Sequence, residues 1–222
     1  MEHRIYGELA QVVELTFTAG ESCWSSKGGI VSLTPGLNWT LKIPGGLGAG
    51  MRRSLSGEGI ALTYISASAN GERAMLSSNQ PGKIIAWDLA DGPVITTRGS
   101  FVAAFGEAID ITVVVARRAG AAFFGGAGLF LQKISGRGTV LIHGAGDFID
   151  RRLEQKESIL VSTGNLAAMA AAVDYDIRSI AGCRKILFGG EGLFMTKLTG
   201  PGRVLLQTLK RTVSSKSNPT TM

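Results

Sequence analysis

Short apolar runs rich in β-branched residues, in part alternating with polar side chains and punctuated by glycine, recur along this chain, and they predict strands. Val12 to Phe17 alternates in part and is rich in β-branched residues, as a half-buried strand is. Ala19-Gly20-Glu21-Ser22 follows as a turn, and Cys23-Trp24 opens another extended stretch. Ile30-Val31-Ser32-Leu33 leads into Thr34-Pro35-Gly36, where proline presets φ and glycine accepts a positive φ. Ile60 to Ser66, Lys83 to Leu89, Ile109 to Ala116, Thr139 to His143 and Val204 to Leu209 are predicted strands as well. Asn165 to Ala172 is dense in alanine and has helical propensity. The matching stretch Ser100 to Ala108 reads as a connection between strands, which argues against a helix there.

The pattern repeats. Phe188-Gly189-Gly190-Glu191-Gly192-Leu193-Phe194 is matched by Phe124-Gly125-Gly126-Ala127-Gly128-Leu129-Phe130, 64 residues earlier. A weaker copy runs from Gly45-Gly46 through Arg53 to Gly57-Glu58-Gly59. Repeats of this length point to an architecture built from one supersecondary unit used several times. The paired glycines Gly45, Gly46, Gly125, Gly126, Gly189 and Gly190 are read as structural turns, where the backbone bends sharply or packs closely. Leu129-Phe130 and Leu193-Phe194 would then fill the core. Gly136-x-Gly138 and Gly200-x-Gly202 would make a tight return into the next strand, so that each cassette is a β-hairpin. A dinucleotide or phosphate loop needs a following helix, and a predicted strand follows here instead.

Composition agrees with many short strands. The 222 residues are 45% hydrophobic and 18% charged, with 31 glycines, enough apolar mass for a real core. Three segments, 1–72, 73–150 and 151–211, are the expected repeats, with 212–222 a disordered tail rich in Ser, Thr, Asn and Pro. The formal net charge is +6, with basic pairs at Arg52-Arg53, Arg117-Arg118, Arg151-Arg152 and Arg184-Lys185. Such a surface can hold an anionic lipid or nucleic acid, although basic loops also serve solubility alone. Lys133 and Lys197 align in the repeat and Arg53 stands at the matching place in the first copy. The three are the candidate ligand-binding residues, able to form a ring of charge if the repeats surround an axis.

Candidate chemistry is otherwise sparse. The two histidines, His3 and His143, show no metal-ligand spacing, so no metal and no cofactor are expected. His143 is read as a half-buried structural residue at the end of a strand. Cys23 and Cys183 read as free thiols of a reducing compartment. No catalytic residues are assigned: there is no G-x-S-x-G, and the carboxylates are scattered. Met1 to Leu15 lacks an apolar leader, and Ile111 to Ala116 is too short to span a bilayer, so a cytoplasmic protein with no transmembrane segment is expected.

Two sets of residues carry a family resemblance. The first is Gln11-Val12-Val13-Glu14-Leu15, Gly20-Glu21-Ser22, Lys27-Gly28-Gly29-Ile30-Val31, Gly45-Gly46-Leu47, Arg52-Arg53 and Leu55-Ser56-Gly57-Glu58. The second is the pair of Phe-Gly-Gly-x-Gly-Leu-Phe cassettes. Together, over residues 8 to 209, they resemble the AIM24-like family, named for altered inheritance of mitochondria and once a domain of unknown function. The resemblance implies a fold like that of the tryptophan RNA-binding attenuation protein (TRAP). Its small β modules, of β-sandwich or double-stranded β-helix type, would be packed about a pseudo-threefold axis. A mitochondrial member is linked to inner-membrane organisation and respiratory-complex integrity; bacterial members have no agreed activity. RNA binding does not transfer with the fold. Trp24, Trp39 and Trp87 are expected in the core or packed on turns rather than on a stacking platform.

The expectation is therefore an all-β protein of three related modules acting as a non-catalytic scaffold. Homo-oligomerisation would cover its repeated strand edges, and a protein partner fits the same reading. The alternative is a module that binds an anionic lipid headgroup or nucleic acid through Arg53, Lys133 and Lys197.

Overall fold

The computed structural model describes residues 1–44, 61–97, 99–114, 131–179 and 194–211, with Arg178, Ser179 and Phe194 described for the backbone alone. Outside them lie all six paired-cassette glycines, Arg53, Ile60, Ala116, Leu129, Phe130, Cys183, Leu193 and the 212–222 tail. The described chain is all-β, with antiparallel strand pairing throughout and no α-helix among the described residues.

The alternating segments form strands for the reason their pattern suggests. In β2 (Val12–Phe17), Val13, Leu15 and Phe17 turn inward and are fully buried. β2 pairs with β1 (Glu2–Tyr6) and with β7 (Glu72–Ser77), which pairs with β4 (Ile30–Leu33). These four make one sheet. Meanwhile β3 (Ser22–Ser25) pairs with β6 (Leu62–Ala67), and β6 with β5 (Leu37–Lys42).

The same scheme returns at the other end of the chain. There β12 (Phe148–Leu153) pairs with β17 (Gly202–Gln207), and β17 with β14 (Leu166–Ala170). Likewise β13 (Ser158–Ser162) pairs with β16 (Phe194–Thr199), and β16 with β15 (Asp174–Ser179). In the middle, two long strands do the work of four. β10 (Phe101–Val114) runs beside β11 (Leu131–Ala145) along their whole length. β8 (Gly82–Asp88) flanks the second half of β11, and β9 (Val94–Thr97) flanks the first. A register shift falls at the same place each time, skipping Val31 in β4, Val102 in β10 and Ala167 in β14.

Two further pairings join these stretches. β3 pairs with β10, setting Ser25, Trp24 and Cys23 opposite Ala103, Ala104 and Phe105. β9 pairs with β14, setting Thr96, Ile95 and Val94 opposite Ala168, Met169 and Ala170. A ten-stranded sheet results, with the four-stranded and three-stranded sheets separate from it. Three buried clusters fill the interior: one around Leu15, Phe17 and Ile65, one around Trp87, Ile134 and Ile142, and one around Leu166, Met169 and Leu198. Gln11 ties the first stretch to the second: its Oε1 accepts the Ile84 N–H at 2.7 Å and its Nε2 donates to the Gly7 carbonyl at 3.1 Å. Gln11→Ala is expected to lower stability by about 1–2 kcal/mol, because the Ile84 amide loses its partner; a urea titration reads this directly.

Several expectations are corrected. Ser100 to Ala108 is not a connection, since most of it belongs to β10. Asn165 to Ala172 contains strand β14, in line with the argument against a helix. The cassette is not a hairpin: β16 and β17 do not pair with one another but lie in different sheets. Gly200-Pro201 is a corner that carries the chain from one sheet to the other. At the matching place, Gly136 and Gly138 make no turn at all, being internal to β11 with φ of +122° and +139°. Glycine serves there to let two backbones approach, since Gly138 stands opposite Gly106. Trp87 is core and Trp24 is half-buried against Tyr64, with ring centroids 4.9 Å apart, but Trp39 is 61% exposed on edge strand β5.

Candidate interaction surface

The candidate cations come first. Lys133 is exposed on β11, opposite Ile95 and Thr112. Lys197 is half-buried on β16, opposite Leu160 and Asp176. The two thus hold the same place in the pairing scheme. In the first stretch that place belongs to Tyr64, opposite Trp24 and Thr40, and Lys42 Nζ lies 4.0 Å from the centroid of the Tyr64 ring. Arg53 lies outside the described residues. A carboxylate opposite Lys197 lowers the local positive potential, whereas Lys133 has a neutral neighbour.

The strand edges differ more sharply. Where a joining pair forms, most of its residues are dry: Ala103, Ala104, Ala168 and Met169 are buried, and so are Ser25, Thr96 and Cys23, while Trp24 and Ala170 are half-buried. The residues skipped by the register shift, Val102 and Ala167, are 1% and 0% exposed. β4 and β13 each have a strand on one side and, among the described residues, none on the other. There Val31 is 56% exposed and Leu160 is 61% exposed. Sequence reasoning did not find these positions. Val31 and Leu160 sit in apolar runs no different from those of the buried strands, and only the partner is missing.

A buried polar cluster lies elsewhere. His143 is fully buried within β11 rather than half-buried at a strand end, because β11 continues to Ala145 and Arg211 packs over it. Arg211 Nη2 lies in hydrogen-bond contact with His143 Nδ1 and donates to the His143 carbonyl at 3.2 Å; its Nε donates to Gln207 Oε1 at 3.1 Å. Burial, and then the Arg211 charge, hold the His143 imidazole down at about 4, against an interaction with the Gln80 backbone that raises it. Burial also brings the Arg211 guanidinium down to about 10, so it stays charged at neutral pH. The Cys23 thiol is buried and pushed up to about 12, which makes it an inert core residue.

A hollow of about 450 Å³ opens between Glu21, Ser22, Phe105, Glu107 and Thr139. Glu21 is occupied there by the Met1 ammonium and the Thr18 N–H. Among the described residues no three acidic, Cys or His side chains gather as metal ligands, and no helix is long and apolar enough to cross a membrane.

With this geometry in hand, known proteins supply a context. An uncharacterized protein of Streptococcus pyogenes serotype M6 is 29% identical over 224 residues, covering 93% of this chain and 88% of its own. A Streptococcus pyogenes protein solved by X-ray crystallography shares the fold at a TM-score of 0.76 and 24% identity, with 94% of each chain covered. A family model described as Mitochondrial biogenesis AIM24 matches residues 3–209, so nearly the whole described architecture falls within it. The chain belongs to that AIM24 family.

Proposed function

We propose that this protein is a non-catalytic scaffold of three tandem TRAP-like β modules arranged about a pseudo-threefold axis, working in the cytoplasm through protein–protein contacts. The recurrence of one pairing scheme, with one register shift, supports the modular reading. It favours module edges at 12–77, 82–145 and 148–207, since β7 pairs with β2 and so completes the first module. The observation that carries the scaffold role is that β4 and β13, which hold the places of strands joined elsewhere in the chain, are open among the described residues and expose Val31 and Leu160. β5 and β12 are also edge strands, with Leu41 and Ile149 exposed. Open strand edges of this kind template association with another chain.

Native mass spectrometry of the purified full chain tests this reading. Expected is a discrete assembly, of this chain alone or with a protein partner, and no small-molecule mass. A discrete bound lipid or nucleic acid would overturn it in favour of anion binding at Lys133 and Lys197. A bare monomer at every concentration, with no partner retained, would also overturn it.

A further inference from the structure

Each joining pair does more than add a strand. Trp24 of β3 sits beside Ala104 and packs against the central core, the one that contains Ala104. Ile95 of β9 sits beside Met169, and both belong to the third core. Thus a central side chain of β3, from the first module, and of β9, from the second, enters the core of the module after it. The first core receives nothing of the kind from a preceding module. Leu33, which holds the place of Ala104 and Met169, packs on that core but stays half-exposed. The side chain that holds the place of Trp24 and Ile95 is Leu160, and it stands in solvent.

We infer that β13 of one copy pairs antiparallel with β4 of a second copy, repeating the joining pair already made twice inside the chain, with Leu160 entering the first core beside Leu33 of that second copy. This inference rests on the scaffold reading above and names its interface. The two formed junctions dictate the register: Val161 opposite Ser32, Leu160 opposite Leu33, and Ile159 opposite Thr34.

The backbone is ready for it. The Glu157 carbonyl accepts the Gly200 N–H at 2.9 Å, so by alternation Glu157, Ile159 and Val161 turn their polar groups toward β16. Those of Ser158, Leu160 and Ser162 point to the open edge. On β4, the Thr34 N–H donates to Arg73 O at 3.0 Å, which leaves the Leu33 groups pointing outward. Across the formed junction the Ser26 N–H donates to Val102 O at 2.9 Å; Ser162 and Val31 hold those places at the open one. Such a contact is heterologous, since the two surfaces differ. An exact threefold relation would close this junction within one chain, but β4 and β13 are not paired with each other and Val31 and Leu160 are exposed. The proposed threefold set is thus open at this point, and its edges are free for a second copy. The contact closes into a two-fold dimer if each copy offers both edges to the other, and otherwise into a larger ring or an open chain.

The test uses two full-length variants, Val31→Glu and Leu160→Glu, each at a side chain that faces water in the single chain. Sedimentation velocity should show the wild type assembling with concentration. Each variant alone should lose assembly by about a hundredfold or more, because the junction would bury an unpaired carboxylate. Mixed together, the variants should form a 1:1 dimer, since one retains a sound β13 edge and the other a sound β4 edge. That recovery also shows that both are folded. Hydrogen exchange adds a readout without substitution: the amides of Leu33 and Leu160 should be protected in assembled wild type and exchange on dilution. A wild-type oligomer indifferent to both variants would leave the scaffold reading standing and overturn this interface. So would a mixture that does not pair, or amides equally protected in a monomer, which would mean that the junction closes within one chain. A strict monomer with no partner would overturn both.

Discussion

Gly138→Ala should destabilise the protein by at least about 3 kcal/mol, from strain and a backbone clash together. The φ of Gly138 is +139°, a region that side chains rarely adopt, and an added Cβ would stand 2.2 Å from the Phe105 carbonyl oxygen and 2.8 Å from Gly106 Cα. Both contacts are with backbone, so no side chain can swing aside. The melting temperature should fall by about 6–12 °C for a chain of this size. Gly28→Ala is the contrast. It also has a positive φ, +80°, but its Cβ would meet nothing within 4 Å, so its cost should be the conformational one alone, about 1–2 kcal/mol. Equal losses at the two sites would mean that the close approach of β10 and β11 contributes nothing. The position matters beyond stability, because the same stretch of β10 carries Phe105, which stands opposite Cys23 at the first joining pair.

Acid should weaken the fold through His143. Its imidazole titrates at about 4 in the folded chain against an ordinary 6.5, lowered by burial and by the Arg211 charge. The unfolded chain therefore binds the extra proton first. Stability from this group is complete above about pH 6.5, declines as pH falls, and is exhausted below about pH 4. A displacement of this size corresponds to roughly 3 kcal/mol. Urea midpoints measured at steps from pH 7.5 to 4 should fall accordingly, and His143→Gln should flatten that segment of the curve while lowering the plateau at neutral pH. An unchanged slope in the variant would place the acid sensitivity on the carboxylates instead. The cause is specific to the site: a protonated imidazole would put a second cation against a guanidinium already in contact with its ring.

How far the fold could be read from the chain varies with the element. β2 was legible because alternation reports, residue by residue, which side chain turns inward, and the buried row Val13, Leu15, Phe17 is that report. β8 and β17 were legible as short apolar, β-prone runs bounded by polar and glycine residues. The corner at Gly200-Pro201 was legible as a break, though not as a change of sheet. The candidate cations were legible as a repeat of Lys133 and Lys197, but the register that sets Tyr64 at the matching place depends on pairing with β3. His143 was read as the end of the strand Thr139 to His143, whereas β11 continues through it to Ala145 with β8 and β10 at its sides.

By itself the sequence determined the all-β class, most strand positions and the family, since these follow from local alternation, glycine placement and motif spacing. Only the tertiary structure decided which strand lies beside which. Main-chain hydrogen bonds between strands carry no side-chain signature, and the partners here are far apart in the chain, as Trp24 is from Ala104 and Ile95 from Met169. For the same reason it could not be read in advance that β4 and β13 would be among the strands left with an open edge. Val31 and Leu160 are the same kind of residue as Val102 and Ile95, and what separates them is a neighbouring strand.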